Sequence, residues 1–346
     1  MATQDLQRNW ISKWISASFG NETKSDFEVF KLLGDGSTRS FFRVFFQNLP
    51  NLKSAILLWD PEWTLSQDYP AHQNFLDSKG IPVPQFFKSD PKEGVLLMED
   101  LGDDLLQNFI QKNPDKKILE IEKAVILLAE MQGKTFPVPI TLPCTTRYFD
   151  HDKYLQEMSF TLDHLSEKFL KQKKATDLTA ASQFCRQLEK IGPRCFSHRD
   201  YHTRNILPNE NKLVLIDFQD ARMGPPHYDL ASILYDAYLP VCPKEREALI
   251  ATYQNALKKY PISSHVNWDT FEIDLKSVAL QRTLKAAGSF ASFFTRHQKT
   301  THLPYLIPAL EMALALRKNL TSLPKDFDMI FPIESWIQNA RSREKN

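Results

Sequence analysis

The chain has 346 residues, room for about two domains, and 42% of them are hydrophobic, with 24 phenylalanines, so it reads as an ordinary globular protein and excludes a disordered one. A formal net charge of +1 excludes a strong general field for nucleic acid or anionic membrane, and leaves any anionic ligand to local cations or a metal. Four cysteines (Cys144, Cys185, Cys195 and Cys242) form no C-x-x-C pair and show no zinc spacing with histidine, so they are expected as isolated reduced thiols.

Residues 1–20 carry Asp5, Arg8, Asn9 and Lys13 among apolar side chains, so no signal peptide is expected there. Leu6, Trp10, Trp14 and Ile15 fall on one helical face, which predicts a helix packed on the domain, with a membrane-surface helix as the alternative. No apolar run approaches the span of a bilayer, and a cytoplasmic protein is expected. The next eighty residues read as strands: Phe27 to Leu33, Ser40 to Phe46, Ser54 to Trp59, and later Gly94 to Met98. Gly34-Asp35-Gly36-Ser37 is a hairpin turn between the first two. A helix is predicted from Trp63 to Lys79, stopped by Gly80 and followed by Pro82 and Pro84. Beyond Gly102 the pattern turns helical: Ile118 to Met131, Tyr148 to Leu170 and Thr176 to Ile191. After an irregular stretch from Phe196 to Tyr228, further helices are predicted at Asp229 to Tyr238, Lys244 to Lys259, Trp268 to Phe294 and Tyr305 to Leu320. A strand-rich start and a helical remainder predict an α+β protein, divided near residue 101 into segments 1–101 and 102–346.

The irregular stretch carries the chemistry. Residues 196–208 read FSHRDYHTRNILP, with Asn205 five positions after Asp200. The apolar run Leu213 to Ile216 then reads as a buried strand ending on Asp217. This set suits transfer of a γ-phosphoryl group from a nucleotide triphosphate, where catalysis is mostly positioning and charge neutralisation. Asp200 is the candidate base beside an attacking hydroxyl. Asn205 and Asp217 offer the hard oxygens that magnesium prefers. His198 is read as structural, bonding backbone near Asp217, since a carboxylate already serves as base. The turn Gly34, Gly36, Ser37 and Thr38 is read as a cover for the phosphates, with a plain hairpin as the alternative. Met98, Glu99 and Leu101 lie on the connection whose backbone is expected to meet the adenine edge.

These residues resemble the aminoglycoside phosphotransferase and choline kinase superfamily, through H-x-D-x-x-x-x-N followed by I-D-F. That resemblance implies a two-lobed, protein-kinase-like fold, with a small antiparallel sheet and a large helical part. Protein kinases themselves fit less well: there is no A-P-E, no V-A-I-K, and Asp217-Phe218-Gln219 stands in place of D-F-G. The blocks LLGDGSTRSFFRV, MEDLGD, SHRDYHTRNIL, LVLIDFQDARMGPPHYDLASILYDAY and LQRTLKAAGSFA, within residues 32–292, are most similar to the N-acetylmuramate/N-acetylglucosamine kinases of cell-wall sugar recycling. The resemblance implies ATP as co-substrate, an N-acetylated amino sugar phosphorylated on its anomeric hydroxyl, Asp200 as base, and Asn205 and Asp217 on magnesium. It also implies that Gln219, Asp220 and Arg282 lie near the sugar. No nucleic acid, membrane or obligate protein partner is expected.

One departure stands out. The strand Ala55 to Asp60 lacks the phosphate-pairing lysine usual in the superfamily. Arg43, or Arg39 on the same face of its strand, is expected to supply that cation, with a scaffold role as the alternative. The competing functions are an aminoglycoside or amino-alcohol kinase and, in another class, a nucleotide-binding pseudokinase.

Overall fold

The computed structural model describes residues 2–19, 27–32, 39–47, 49, 51–60, 68–173, 175–210 and 212–344. It opens with helix α1 (Ala2–Phe19), then β1 (Phe27–Lys31), β2 (Ser40–Phe46) and β3 (Ser54–Trp59). Helix α2 (Tyr69–Ser78) leads to β4 (Phe86–Asp90) and β5 (Val95–Glu99). The five strands form one antiparallel sheet in the order β1-β2-β3-β5-β4.

Strand alternation divides the apolar residues of this sheet between two faces. Phe42, Val44, Ala55, Leu57, Val95 and Leu97 pack with Ile11, Trp14 and Ile15 of α1 in one small core. The opposite face, with Leu58, Leu96 and Met98, joins Tyr69 and Leu76 of α2 and runs without a break into the main core of the helical part. β3 and β5 are therefore covered on both sides, which explains their unbroken apolar sequences. The amphipathic face of α1 lies against the sheet, and of the residues expected on it Leu6 has a side chain outside the described residues. Segments 1–101 and 102–346 thus share one continuous core across the expected boundary.

β4 was not legible as a strand. It is an edge strand with an exposed middle (Phe87, Lys88 and Ser89), and its register slips between Phe86 and Lys88. α2 begins at Tyr69, the earlier part of its expected span (63–67) lying outside the described residues. It stops at Gly80, whose φ of +68° suits glycine.

The helical part contains α3 (Leu106–Lys112), α4 (Lys117–Lys134), α5 (His151–Thr161) and α6 (Thr179–Glu189). A π-helical stretch, Leu162–Phe169, prolongs α5. Two small antiparallel ribbons follow, β6 (Cys195–Ser197) with β9 (Arg222–Gly224), and β7 (Ile206–Asn209) with β8 (Lys212–Leu215). α7 (His227–Leu234), α8 (Pro243–Leu257), the long α9 (Phe271–His297), α10 (Leu306–Lys318), α11 (Phe327–Ile330) and α12 (Ile333–Glu344) complete the chain. All four cysteines are free thiols. Among the described residues no helix is long and apolar enough to cross a membrane.

Candidate active site

The two ribbons bring the loop 198–205 and Asp217 together. β6 delivers the chain into residues 198–205, β7 and β8 form the hairpin, and Asp217 follows β8. Arg199 at φ +79° and Asp217 at φ +65° occupy the left-handed region, a strained conformation for non-glycine residues.

Two buried carboxylates hold the loop in that shape. Asp229, near the start of α7, accepts from Ser197 Oγ at 3.0 Å, His198 N at 2.7 Å and Arg199 N at 2.9 Å. Asp236 accepts from Thr203 N at 3.0 Å and Thr203 Oγ1 at 2.6 Å. Burial raises both carboxyls, and these donors pull them back. His198 Nε2 donates to the Ile216 carbonyl at 2.9 Å, which ties the loop to the residue before Asp217. Asn205 Nδ2 donates to the Asp200 carbonyl at 2.9 Å, and Ile216 N donates to the Asn205 carbonyl at 3.1 Å.

Asp200 is surrounded by cations. Lys285 Nζ lies 2.9 Å and Arg282 Nη2 3.3 Å from its Oδ1, and Arg199 Nε lies 4.0 Å from Oδ2. Burial alone would raise the Asp200 carboxyl, but Lys285, Arg199 and Arg282 outweigh it and hold the group well below the ordinary range. Asp200 is thus a carboxylate at neutral pH, and a weak base.

Asp217 takes the opposite direction. Burial raises its carboxyl, opposed by Arg39 at 3.6 Å and by the Gln219 amide, which donates to Oδ1 at 2.8 Å. A carboxyl raised in a cleft gains from a bound cation. The second candidate ligand is Asn205, whose amide nitrogen is spent on the Asp200 carbonyl, so its Oδ1 is the atom left for a metal. A carboxylate plus one amide oxygen fits magnesium that takes its other oxygens from phosphates and water. Among the described residues no group of three or more His, Cys, Asp or Glu has metal-binding geometry.

Asp200, Asn205 and Asp217 line one cavity of about 350 Å³, within the range of small-molecule sites. Its far wall is Tyr238, Phe290, Phe293, His302 and Arg204. Arg204 lies over the Tyr238 ring at 4.8 Å and donates to His302 Nε2 at 3.1 Å. His302 stacks on Phe293, ring centres 4.0 Å apart.

Other expected residues fall elsewhere. Arg282 lines the cavity, but Gln219 and Asp220 do not. Gln219 is buried behind Asp217, and Asp220 bonds Arg199 Nη1 at 3.1 Å. Arg43, expected beside the phosphates, instead ties β2 to the connection after β5. It bonds Asp103 at 2.7 and 2.8 Å and Asp100 at 2.8 Å, and two carboxylates fix its guanidinium there. Met98 is buried opposite Ile56 in the sheet, Glu99 spends its N–H and carboxylate on Gln85, and Leu101 is half-buried beside them. Gly34, Gly36, Ser37 and Thr38 lie outside the described residues.

Sequence reasoning missed the far wall, which comes from α9 and from segments far from the motif in sequence. Only Arg204, inside the H-x-D-x-x-x-x-N block, was within reach of a motif. It also missed the loop-holding role of Asp229 and Asp236.

The family described as the phosphotransferase enzyme family (APH) matches residues 71–262. An N-acetylmuramate/N-acetylglucosamine kinase of Caulobacter vibrioides is 26% identical over 285 residues, covering 75% of this chain and 74% of its own. Another of that name from Pseudomonas aeruginosa is 25% identical over 328 residues, covering 91% and 93%. Among solved structures, choline kinase LicA from Streptococcus pneumoniae superposes with a TM-score of 0.61 at 14% identity, covering 89% of this chain and 99% of its own. At that identity the likeness shows the fold: α+β, of the protein-kinase-like kind.

Proposed function

Because this chain belongs to the phosphotransferase enzyme family, we propose that it is an ATP-dependent kinase acting on an N-acetylated amino sugar, N-acetylmuramate or N-acetylglucosamine, at the anomeric hydroxyl. Two relatives bearing that kinase name span most of its length and support the acceptor. The observation that carries the choice of hydroxyl is the charge of Asp200, pressed by Lys285, Arg282 and Arg199 into a weak base. A weak base orients but hardly deprotonates an ordinary alcohol. An anomeric hydroxyl is more acidic, because the ring oxygen withdraws electrons, and needs less help.

The acceptor hydroxyl donates its hydrogen bond to Asp200 and attacks the γ-phosphorus. The proton passes to Asp200 as the new O–P bond forms, and ADP leaves with the electrons of the broken bond. Magnesium, when held by Asn205 Oδ1 and Asp217, supplies neutralising charge at the phosphates. Asp229 and Asp236 keep the loop rigid, so Asp200 stays placed before substrate arrives. The cavity wall carries Arg204, Arg282 and Lys285 beside Asp200, Asp217 and Asp236, so its charge does not choose between a sugar and a cationic acceptor such as choline or an aminoglycoside, and the choice of acceptor rests on the relatives. ATP as donor puts the reaction in the cytoplasm.

The test is incubation with ATP, magnesium and a panel of amino sugars, read by phosphorus NMR. The expected product is a sugar 1-phosphate, and the methyl glycoside of the best sugar is not phosphorylated. A sugar lacking the acetamide reacts more slowly, since each buried polar group left unpaired costs about 1–3 kcal/mol. Turnover of the methyl glycoside at the rate of the free sugar overturns the anomeric assignment.

A further inference from the structure

β3 lacks the superfamily's usual phosphate cation, and Arg39, just before β2, is turned to Asp217 at 3.6 Å. The face of β3 turned toward the helical part carries Ile56 and Leu58, and Arg43 across from Ile56 is bound to Asp100 and Asp103. On the other side of the cavity α9 presents two cations on successive turns, Arg282 and Lys285, with side chains only 9% and 13% exposed. They differ in how their donors are used. Arg282 Nε is held by Ser232 Oγ at 3.0 Å and Nη2 faces Asp200. Lys285 has three N–H donors, and among the described residues its single hydrogen-bond partner is Asp200 Oδ1 at 2.9 Å. The ammonium lines the cavity with Asp200, Asn205 and Asp217. An ammonium this buried, with donors left over, is costly without a ligand to take them.

We propose that Lys285 is a catalytic residue that donates to the non-bridging oxygens of the γ-phosphoryl group, so that α9 takes the role of the lysine that β3 lacks. The step keeps its balance. The acceptor oxygen bonds to the γ-phosphorus, the bond from that phosphorus to the β–γ bridging oxygen breaks, and the acceptor proton goes to Asp200. Lys285 stays protonated and bridges Asp200 to the group in flight. Negative charge on the transferring oxygens is neutralised there in a site largely shielded from water, where such interactions are strong. The same ammonium limits the pull of Asp200 on the acceptor proton, so base and cation are tuned as a pair. The proposal rests on the kinase reading above.

ATP and ADP separate this role from simple support of Asp200, because only ATP carries the γ-phosphoryl group. Calorimetry with magnesium and either nucleotide, without sugar, compares the wild type with Lys285→Gln and Lys285→Arg. Glutamine removes the charge and keeps an N–H donor one bond nearer the backbone, and ADP binding reports that each variant is folded. Lys285→Gln is expected to bind ATP about tenfold more weakly with ADP affinity kept within about twofold, and to lose about 100-fold or more in kcat with N-acetylglucosamine. Lys285→Arg retains most of the preference for ATP. An unchanged ATP-to-ADP affinity ratio in Lys285→Gln overturns the proposal, whatever happens to kcat. A wild type that binds ATP and phosphorylates no amino sugar overturns the acceptor reading, and the ratio still decides Lys285.

Discussion

Asp217 holds φ at +65°, a conformation that an L-residue other than glycine adopts at a cost of roughly 1–3 kcal/mol. Its backbone N–H donates to Tyr69 Oη at 3.2 Å, and the preceding carbonyl is held by His198. The strain turns its carboxylate into the cavity beside Asn205. Asp217→Asn removes the anionic oxygen and keeps the shape. In the wild type, magnesium is expected to tighten ATP binding, and in the variant that gain should fall by about tenfold or more. Calorimetry of ATP with and without magnesium checks it, and an equal gain in both proteins removes Asp217 from the metal site. At this scale the sequence was informative where side chains are close along the chain. Asp200, Asn205 and Asp217 span eighteen residues and were read together. The scaffold alternative for Arg43 was not separable from a phosphate role in the sequence, because nothing local shows that Asp100 and Asp103 fold back onto it.

Gly288 sets how closely α9 approaches α5. A Cβ there would lie 2.6 Å from Thr161 Oγ1 and 2.7 Å from Thr161 Cα. Backbone cannot yield as a flexible side chain does, so Gly288→Ala must push the helices apart. The expected loss of stability is about 1–3 kcal/mol by urea unfolding, and because Lys285 lies one turn away, kcat should fall by more than the folded fraction accounts for. A substitution that leaves the urea midpoint unchanged would show that the helices are free to shift. Elements with clear periodicity were legible. β2 and β3 run over the expected spans, Ser40–Phe46 and Ser54–Trp59, while α9 is displaced from 268–294 to Phe271–His297. The edge strand β4 and the ribbon strands β6 and β9 were not legible, because an exposed edge and three-residue strands leave no repeating pattern, whereas the π-helical stretch fell inside the helix expected over 148–170.

Over the molecule, two buried histidines away from the cavity make stability depend on pH. His72 Nε2 accepts from Cys144 N at 3.2 Å, and burial, with Arg147 nearby, lowers its pKa to about 4. His227 is buried against Phe271 and is lowered to about 3 by burial. Below pH 6.5 the unfolded chain takes up protons at these rings that the folded chain refuses. Their contribution is therefore full above pH 6.5 and is lost as pH falls toward 4 and 3. From pH 7 to pH 5 the loss is about 2 kcal/mol for each histidine. Urea midpoints at the two pH values should show it, and the difference should shrink when His72 and His227 are replaced by non-titrating residues. A pH dependence identical in those variants would sink the assignment. The cavity itself was half legible at this scale: the motif shows its catalytic floor, whereas Tyr238, Phe290 and His302 meet only in three dimensions. Part of the wall and the cations share one support. α9 carries Arg282 and Lys285 against Asp200, and further along it carries Ser289, Phe290 and Phe293 into the lining of the same cavity. A rigid rod that holds both the charge and the walls is not modular. A substitution at Ser289 or Phe290 that shifts α9 moves Arg282 and Lys285 with it, so the shape of the wall and the charge beside Asp200 change together.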